Sequence, residues 1–489
     1  MSVGTLVDLR AGLDAGDLSS EFLAMGALER MEQREGDLNA TLFRSRALTL
    51  AAARSADQRL RAGERTPMLG IPVVLKDNLH WKGTPLTNGS RIMEGYIAPY
   101  NATVVQRLLE AGAVPVAKAN MDEFAMGSSG EYSAFGPTCN PWDPSRVAGG
   151  SSSGSIVSVA AGYAPFALGT DTGGSVRLPG SFCNITALRP TYGALSRYGV
   201  SAMASSLDQV GPVAASAQDL ALGLSVLTGQ DPLDSTSLEL PGAERLRELR
   251  PASLKGLRIG LPREYFGEGI EPGVRGVIEA ALQRLAQEGA ELVPISLPHT
   301  RYAIDTYYLI VTSEVSSNLS RYDGVRFGLR REAEELQEMI SGTRDAGLGA
   351  EVKRRILLGA FCLSKGYYDA FYLKALKART LITRDFLEAF ERVDILATPV
   401  CPTPAFPLGA NLADPMAMYL ADVFTVTAPL AALPVVAAPA GFAEGLPVGL
   451  QFVGPSLSDV RLLEIAHAWQ GISDVHRKRA CSPSAPEGA

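Results

Sequence analysis

AGGSSSGSIVSVAAGYAPFALGTDTGGSVRLPGSF, residues 148–182, is unlike the rest of the chain, and it sits within a Gly- and Ser-rich stretch, 120–212. Flexible linkers share that composition, but they do not interleave it with Trp142, Phe166, Arg177 and Phe182. Gly149 and Gly154 have the spacing of a phosphate loop, and a helix could follow at 155. Ser155, however, stands where such a loop needs its Lys, so the charge that would hold phosphates is missing. In TDTGGS (170–175) two glycines precede a serine. Glycines let a backbone turn sharply and aim several N–H groups at one point. Convergent donors of that kind stabilise the oxyanion of a tetrahedral intermediate, and losing one costs about 3–4 kcal/mol.

A nucleophilic serine needs a base. Four histidines are available, His80, His299, His467 and His476, none with an evident partner, and no GxSxG elbow surrounds Ser175. Lys76 is the better candidate. It ends GIPVVLKDN (70–78) after the apolar run Ile71–Leu75, where desolvation favours the neutral amine. Lowering a lysine from about 10.4 to about 7.4 takes about 4 kcal/mol, which burial can impose. Lys118, at the end of AVPVAK (113–118), has the same local look. Local chemistry does not separate the two, and a strand-end lysine with a solvated head is the plainer reading of either.

Outward from this segment the chain alternates strands with helices. Residues 18–61 read as helical, with Ser19 and Ser20 able to cap. Val104, Val105, Leu108 and Leu109 form a helical stripe ended by Gly112, and the strand AVPVAK follows. The same grammar returns with Val274, Val277, Ile278, Leu282 and Leu285, then Gly289, then ELVPIS. VDILATP (393–399), PVVAAP (434–439) and VGLQFVG (448–454) are further strands, and a helix at 459–470 follows. This alternation predicts an α/β layered fold with a parallel or mixed sheet. Residues 300–385 read as mostly helical, and 478–489 as a flexible tail.

The 489 residues carry 45 Lys and Arg against 52 Asp and Glu, a net charge of −7. With 46% hydrophobic and 20% charged residues, the composition is that of an ordinary globular protein rather than a disordered one. The acidic balance argues against a surface that grips nucleic acid by its own charge. The five cysteines are widely spaced with no CxxC pair, so neither a disulfide framework nor a zinc site is expected. No secretory signal is visible at the N-terminus, and the uncharged stretch 423–443 is interrupted by Pro429, Pro434 and Pro439. A soluble, cytoplasmic protein is expected.

Taken together, these residues resemble the amidase signature family, whose members use a Ser–Ser–Lys triad. GIPVVLKDN, GGSSSGS and TDTGGSVRLP occur in the family's order, with 75 positions from Lys76 to Ser151 and 24 from Ser151 to Ser175. The resemblance selects Lys76 over Lys118. It implies a single amidase-type α/β/α domain over 1–489, a mixed sheet with helices on both faces, an N-terminal helical arm (1–65) and a core at 66–215 holding the triad. It makes Ser175 the acyl-forming nucleophile, Ser151 a bridging serine preceded by a cis peptide, and Lys76 the base. The N–H groups of Thr172, Gly173, Gly174 and Ser175 become the oxyanion hole.

Within the family the chain looks most like members that release ammonia from glutamine for transfer to tRNA-bound glutamate or aspartate. The signs are NMDEFAMGSS (120–129), SAFGPTCNPWD (133–143), SSLDQVGP (205–212), SEVSSNLSRYDGVRFG (313–328) and EVKRRILLG (351–359). The alternative is a stand-alone amidase acting on another small amide. The resemblance further implies a glutamine pocket of Tyr307, Arg355 and Asp422, with Tyr308 adjacent in register. Arg355 can clamp an α-carboxylate and Asp422 can pair with an α-ammonium. It implies no cofactor in this chain. A partner B subunit would use ATP and Mg²⁺ and take most of the misacylated tRNA contact, and a small C subunit would complete a heterotrimer. Ser153, Leu178 and Gly180 depart from the commoner family residues at their positions.

Overall fold

Val73 and Leu75 belong to one hydrophobic core and Val74 to another. That two-residue period is what a strand buried on both faces produces. It identifies the sheet as the middle layer of the molecule. The computed structural model describes residues 4–267 and 269–480. Within it, eleven strands form one sheet: β1 (Thr41–Phe43), β2 (Pro72–Lys76), β3 (Val114–Ala119), β4 (Phe166–Asp171), β5 (Thr186–Arg189), β6 (Gln209–Ala214), β7 (Arg258–Pro262), β8 (Glu291–Ile295), β9 (Ile395–Pro399), β10 (Val435–Ala443) and β11 (Leu446–Val453). Their order is β1-β3-β2-β4-β6-β5-β10-β11-β9-β7-β8.

The sheet is mixed. β2 runs parallel to β3 and β4, and β7 parallel to β8 and β9, while the remaining neighbours are antiparallel. On one face pack the helices Ser153–Ala160 and Arg177–Cys183, whose Ile156, Val157, Leu178 and Phe182 share a core with Val74. On the other face lie Thr103–Glu110, Pro272–Gln287 and Asp459–Ile472, which bury Val104, Val105, Ile278 and Leu462 with Val73 and Leu75. The α/β class with a mixed sheet between helices is therefore as the sequence indicates.

The segment 18–61 is not continuous helix. Helices Ser20–Leu38 and Arg46–Arg61 are interrupted by β1, an edge strand antiparallel to β3. Asn39, in the left-handed region at φ 47°, ends the first helix, and Ser45 caps the second through Leu48 N. The region read as helical carries Ala303–Asn318, Leu336–Gly347, Ala350–Cys362 and Lys374–Phe390, so it runs five residues past the expected end at 385. No helix among the described residues is long and apolar enough to cross a membrane, and much of 423–443 is the strand β10. Of the expected tail, residues 481–489 lie outside the described residues.

Candidate active site

Lys76 is the last residue of β2, and strand alternation places its side chain on the Val74 face, under helix Ser153–Ala160. Neither Lys76 nor Ser151 is exposed to solvent. The Lys76 amine donates to Ser151 Oγ at 2.7 Å, to Ser152 Oγ at 2.9 Å and to Thr170 Oγ1 at 2.9 Å. Thus its three donors meet three neutral hydroxyls, and it forms no ion pair among the described residues. Burial pulls its pKa down to about 7, partly opposed by the fields of Asp122, Asp171 and Asp208. Ser152 gives its own proton to the Thr170 carbonyl at 3.0 Å. A neutral amine must therefore take its incoming hydrogen bond from Ser151 or Thr170.

Lys118 is equally buried but lies 3.1 Å from Asp77 and donates to Leu79 O at 2.8 Å. Burial lowers its pKa as well, but its partners are a carboxylate and a carbonyl rather than serine hydroxyls. Two lysines with one local signature are thus separated by their tertiary partners.

The two serine loops are joined through their backbones. Ser152 N donates to Ser175 O at 3.0 Å, and the peptide bond between Gly150 and Ser151 is cis. Ser175, unlike Ser151, retains slight exposure, at 7%. Its hydroxyl makes no hydrogen bond to Ser151 among the described residues. None of the four histidines bonds to Ser175 either: His299 pairs with Asp385 at 2.7 Å and His80 faces Gly199 O at 2.8 Å.

Loop 172–175 is held from below by a buried charge cluster to which no local sequence pattern points. Asp171 receives Arg177 through both oxygens, at 3.1 and 3.0 Å, and Arg189 at 3.1 Å, all three residues being inaccessible to solvent. Arg177 also donates to Gly173 O at 3.1 Å and to Thr425 O and Gln451 Oε1 at 3.0 Å. The two guanidiniums hold the Asp171 carboxyl below its ordinary range despite burial. The N–H groups of Thr172, Gly173, Gly174 and Ser175 donate to no other group among the described residues. A row of uncommitted backbone donors beside a serine is what an oxyanion site requires.

Glycine is needed here for space. A Cβ on Gly173 would stand 2.5 Å from the Tyr307 hydroxyl, and one on Gly174 2.7 Å from Thr425 Cβ. Tyr307 therefore packs directly on the loop, and Thr425 leads to Asp422, whose carbonyl it bonds at 3.1 Å.

Asp422 is buried, which pushes its carboxyl up to about 6, and it accepts from Ser128 Oγ at 2.7 Å and from the Tyr308 hydroxyl at 3.2 Å. Tyr308 stacks on Tyr419 with ring centroids 3.9 Å apart, and both rings lie beside the Arg355 guanidinium, at 5.2 and 5.5 Å. Arg355 Nε is held by Glu351 at 2.8 Å, while its two terminal nitrogens have no partner among the described residues. So Tyr307, Arg355 and Asp422 do come together beside the loop, but the contact to Asp422 is made by Tyr308. Ser128, Glu351 and Tyr419 are not among the residues expected from the sequence, and Tyr308 is expected only as a neighbour in register. The i, i+4 spacing of Glu351 and Arg355 is the available signal for one of them.

The departures lie off the hydroxyl cluster. Ser153 donates to Thr138 Oγ1 at 3.1 Å, Leu178 is core, and Gly180 lies against Ile185 O. Ser155, of the phosphate-loop reading, donates to Leu168 O at 3.0 Å inside the protein.

The fold and this site define an α/β protein built around a buried lysine, neighbouring serines and a glycine loop of free amides. The chain belongs to the amidase family, whose model matches residues 24–463. It is 51% identical over 476 residues to the A subunit of glutamyl-tRNA(Gln) amidotransferase from Chloroflexus aggregans, covering 97% of each chain. The crystal structure of the A subunit of glutamyl-tRNA(Gln) amidotransferase from Thermotoga maritima superposes with a TM-score of 0.79 at 38% identity, covering 95% of this chain and 94% of that one. Native peptide amidase from Stenotrophomonas maltophilia superposes with a TM-score of 0.81 at 30% identity, covering 99% of both.

Proposed function

We propose that this chain is the glutamine-hydrolysing subunit of a glutamyl-tRNA(Gln) amidotransferase, with Lys76, Ser151 and Ser175 as its catalytic residues. The observation that carries the chemistry is the buried Lys76 amine, bonded to Ser151 Oγ at 2.7 Å and, among the described residues, to no carboxylate. The assignment within the family is supported by 51% identity to a named A subunit over nearly the whole chain.

In the proposed reaction neutral Lys76 draws a proton from Ser151 as Ser151 takes one from Ser175. Ser175 Oγ attacks the side-chain carboxamide carbon of glutamine, and the amides of residues 172–175 receive the oxyanion. The relay returns a proton to the leaving nitrogen, ammonia departs, and water hydrolyses the γ-glutamyl ester. Arg355, with two free nitrogens, is suited to the α-carboxylate, and Asp422 to the α-ammonium. Tyr307, packed on Gly173, and Tyr308, bonded to Asp422, would line the side of that pocket.

Ammonia would pass to a B subunit that amidates Glu-tRNA(Gln), Asp-tRNA(Asn) or both. ATP and Mg²⁺ use and most tRNA contact belong to that partner, and a C subunit completes the heterotrimer. A net charge of −7 is consistent with that division of labour. The test is ammonia release from glutamine by the chain alone and with its partners, Glu-tRNA(Gln) and ATP. Release that rises on assembly and is lost in Ser175→Ala is expected. Brisk hydrolysis of other amides, indifferent to partners and tRNA, would instead make it a stand-alone amidase.

A further inference from the structure

The segment NMDEFAMGSS carries two adjacent buried carboxylates, Asp122 and Glu123, that the proposed reaction does not use. Asp122 accepts Tyr132 N at 2.9 Å on one oxygen and Gly130 N at 3.1 Å on the other, and its own N donates to Ser151 O at 3.2 Å. Its carboxylate occupies space that two glycines leave open. A Cβ on Gly127 would lie 2.5 Å from Asp122 Cγ, and a Cβ on Gly150 would overlap Asp122 Oδ2.

The loop is fixed on its other side. Glu123 accepts Gly349 N at 2.9 Å, where Gly349 precedes the helix that bears Arg355, and it also receives the Ser90 hydroxyl. Directly after these anchors Phe124 and Ala125 both take left-handed backbone, φ 49° and 63°. Two successive residues with side chains persist there only where surrounding contacts over-determine the chain. Ser128, further along, bonds Asp422 through its hydroxyl and Gly150 N through its carbonyl, at 2.7 and 2.8 Å.

We infer that Asp122 is a positioning residue of the Lys76–Ser151 relay: seated against Gly150, its carboxylate fixes the loop that presents Ser151 and keeps negative charge beside the amine. The inference rests on Lys76 being the base. The fields of three carboxylates from three segments reach Lys76: Asp122, Asp171 and Asp208. Asp171 is neutralised by Arg177 and Arg189, and Asp208 is held by Thr172, Met203 N and Ala204 N with Arg197 near. Asp122 forms no ion pair among the described residues, and the charges it senses are Lys76 and Glu131. Burial raises its carboxyl to about 6, so it is ionised at neutrality, where its field is the largest opposing the desolvation of the amine.

The test compares wild type with Asp122→Asn in the assembled enzyme. It follows acylation of Ser175 by a fluorophosphonate probe across pH, with KM and kcat for glutamine measured beside it. Asn keeps an oxygen acceptor and removes the charge, so the protonated amine loses support and deprotonates earlier. The acid limb of acylation should move to lower pH by roughly half a unit, a threefold relative gain on that limb. The plateau should fall, and kcat should change more than KM. A limb that stays in place, whether or not the plateau falls, would overturn the proposal. Should Asp122→Asn not fold, Gly127→Ala displaces the carboxylate while keeping its charge. It should slow acylation, and an unchanged rate overturns the proposal. The probe does not depend on the amide substrate: wild type that labels but does not hydrolyse glutamine would refute the proposed function and leave this test intact.

Discussion

The Lys76 amine lies 2.7 Å from Ser151 Oγ with both side chains wholly buried, whereas Lys118, one strand away, spends its charge on Asp77 at 3.1 Å. Both lysines lose solvent. Burial lowers the pKa of both, in Lys118 against the opposing pull of Asp77, but only Lys76 meets hydroxyls that could pass it a proton.

A pH profile follows directly. With Lys76 at about 7, kcat/KM for glutamine should show an acid limb near that value, activity falling about tenfold per unit below it. The sign for stability follows from the lowered pKa. Between about 7 and about 10.4 the unfolded chain holds the proton and the folded one does not, so stability rises with pH through that window. Lys76→Met should abolish turnover and remove the Lys76 share of this slope, read as the difference between the two proteins in denaturation midpoint against pH.

Ser151→Ala and Ser175→Ala should differ in kind. The first removes a proton carrier and should lower kcat by about 10²–10⁴, with glutamine binding kept. The second removes the acylated atom and should eliminate both turnover and probe labelling. Equal residual rates in the two variants would contradict the assigned roles.

Gly174→Ala tests the loop. Its Cβ would press on Thr425, 2.7 Å from that residue's Cβ, and shift the amides meant for the oxyanion. A loss of about 10²–10³ in kcat is expected, with KM changing less. Steady-state kinetics separate the two.

Arg177→Met tests the cluster beneath. It leaves Asp171 with Arg189 alone and strips the Gly173 carbonyl of its donor. Breaking a buried ion pair costs about 3–5 kcal/mol, to be read by denaturant unfolding.

Arg355→Lys keeps charge but loses the planar fork that the Tyr308 and Tyr419 rings flank. KM for glutamine should rise by about tenfold or more while kcat changes little, the mark of lost ground-state binding.

Helix-then-strand units such as 104–118 and 274–295 are legible because a 3.6-residue stripe, a glycine stop and a β-branched run follow one another within a short window. β1 is not: three residues show no period, and Asn39 and Ser45 read equally well as interruptions of one long helix. β4 and β6, buried on both faces amid Gly and Ser, lack the alternation that marks a half-buried strand. The proposed triad is legible only through family spacing, since a strand-end lysine looks alike at 76 and 118. The Asp171, Arg177 and Arg189 cluster is beyond local reading, because its members meet only after β4, β5 and the intervening helix pack. Tyr307 and Tyr308 illustrate the remaining limit. Adjacent on one helix, they face different partners, Gly173 and Asp422, and only tertiary contacts tell which does what.

The most direct test of the proposed chemistry is rapid acid quench of the assembled enzyme turning over glutamine, followed by mass spectrometry of its peptides. A glutamyl ester on Ser175 is expected, present in wild type and missing in Lys76→Met and Ser175→Ala. Ammonia release with no adduct on Ser175, or with the adduct on another residue, would contradict it.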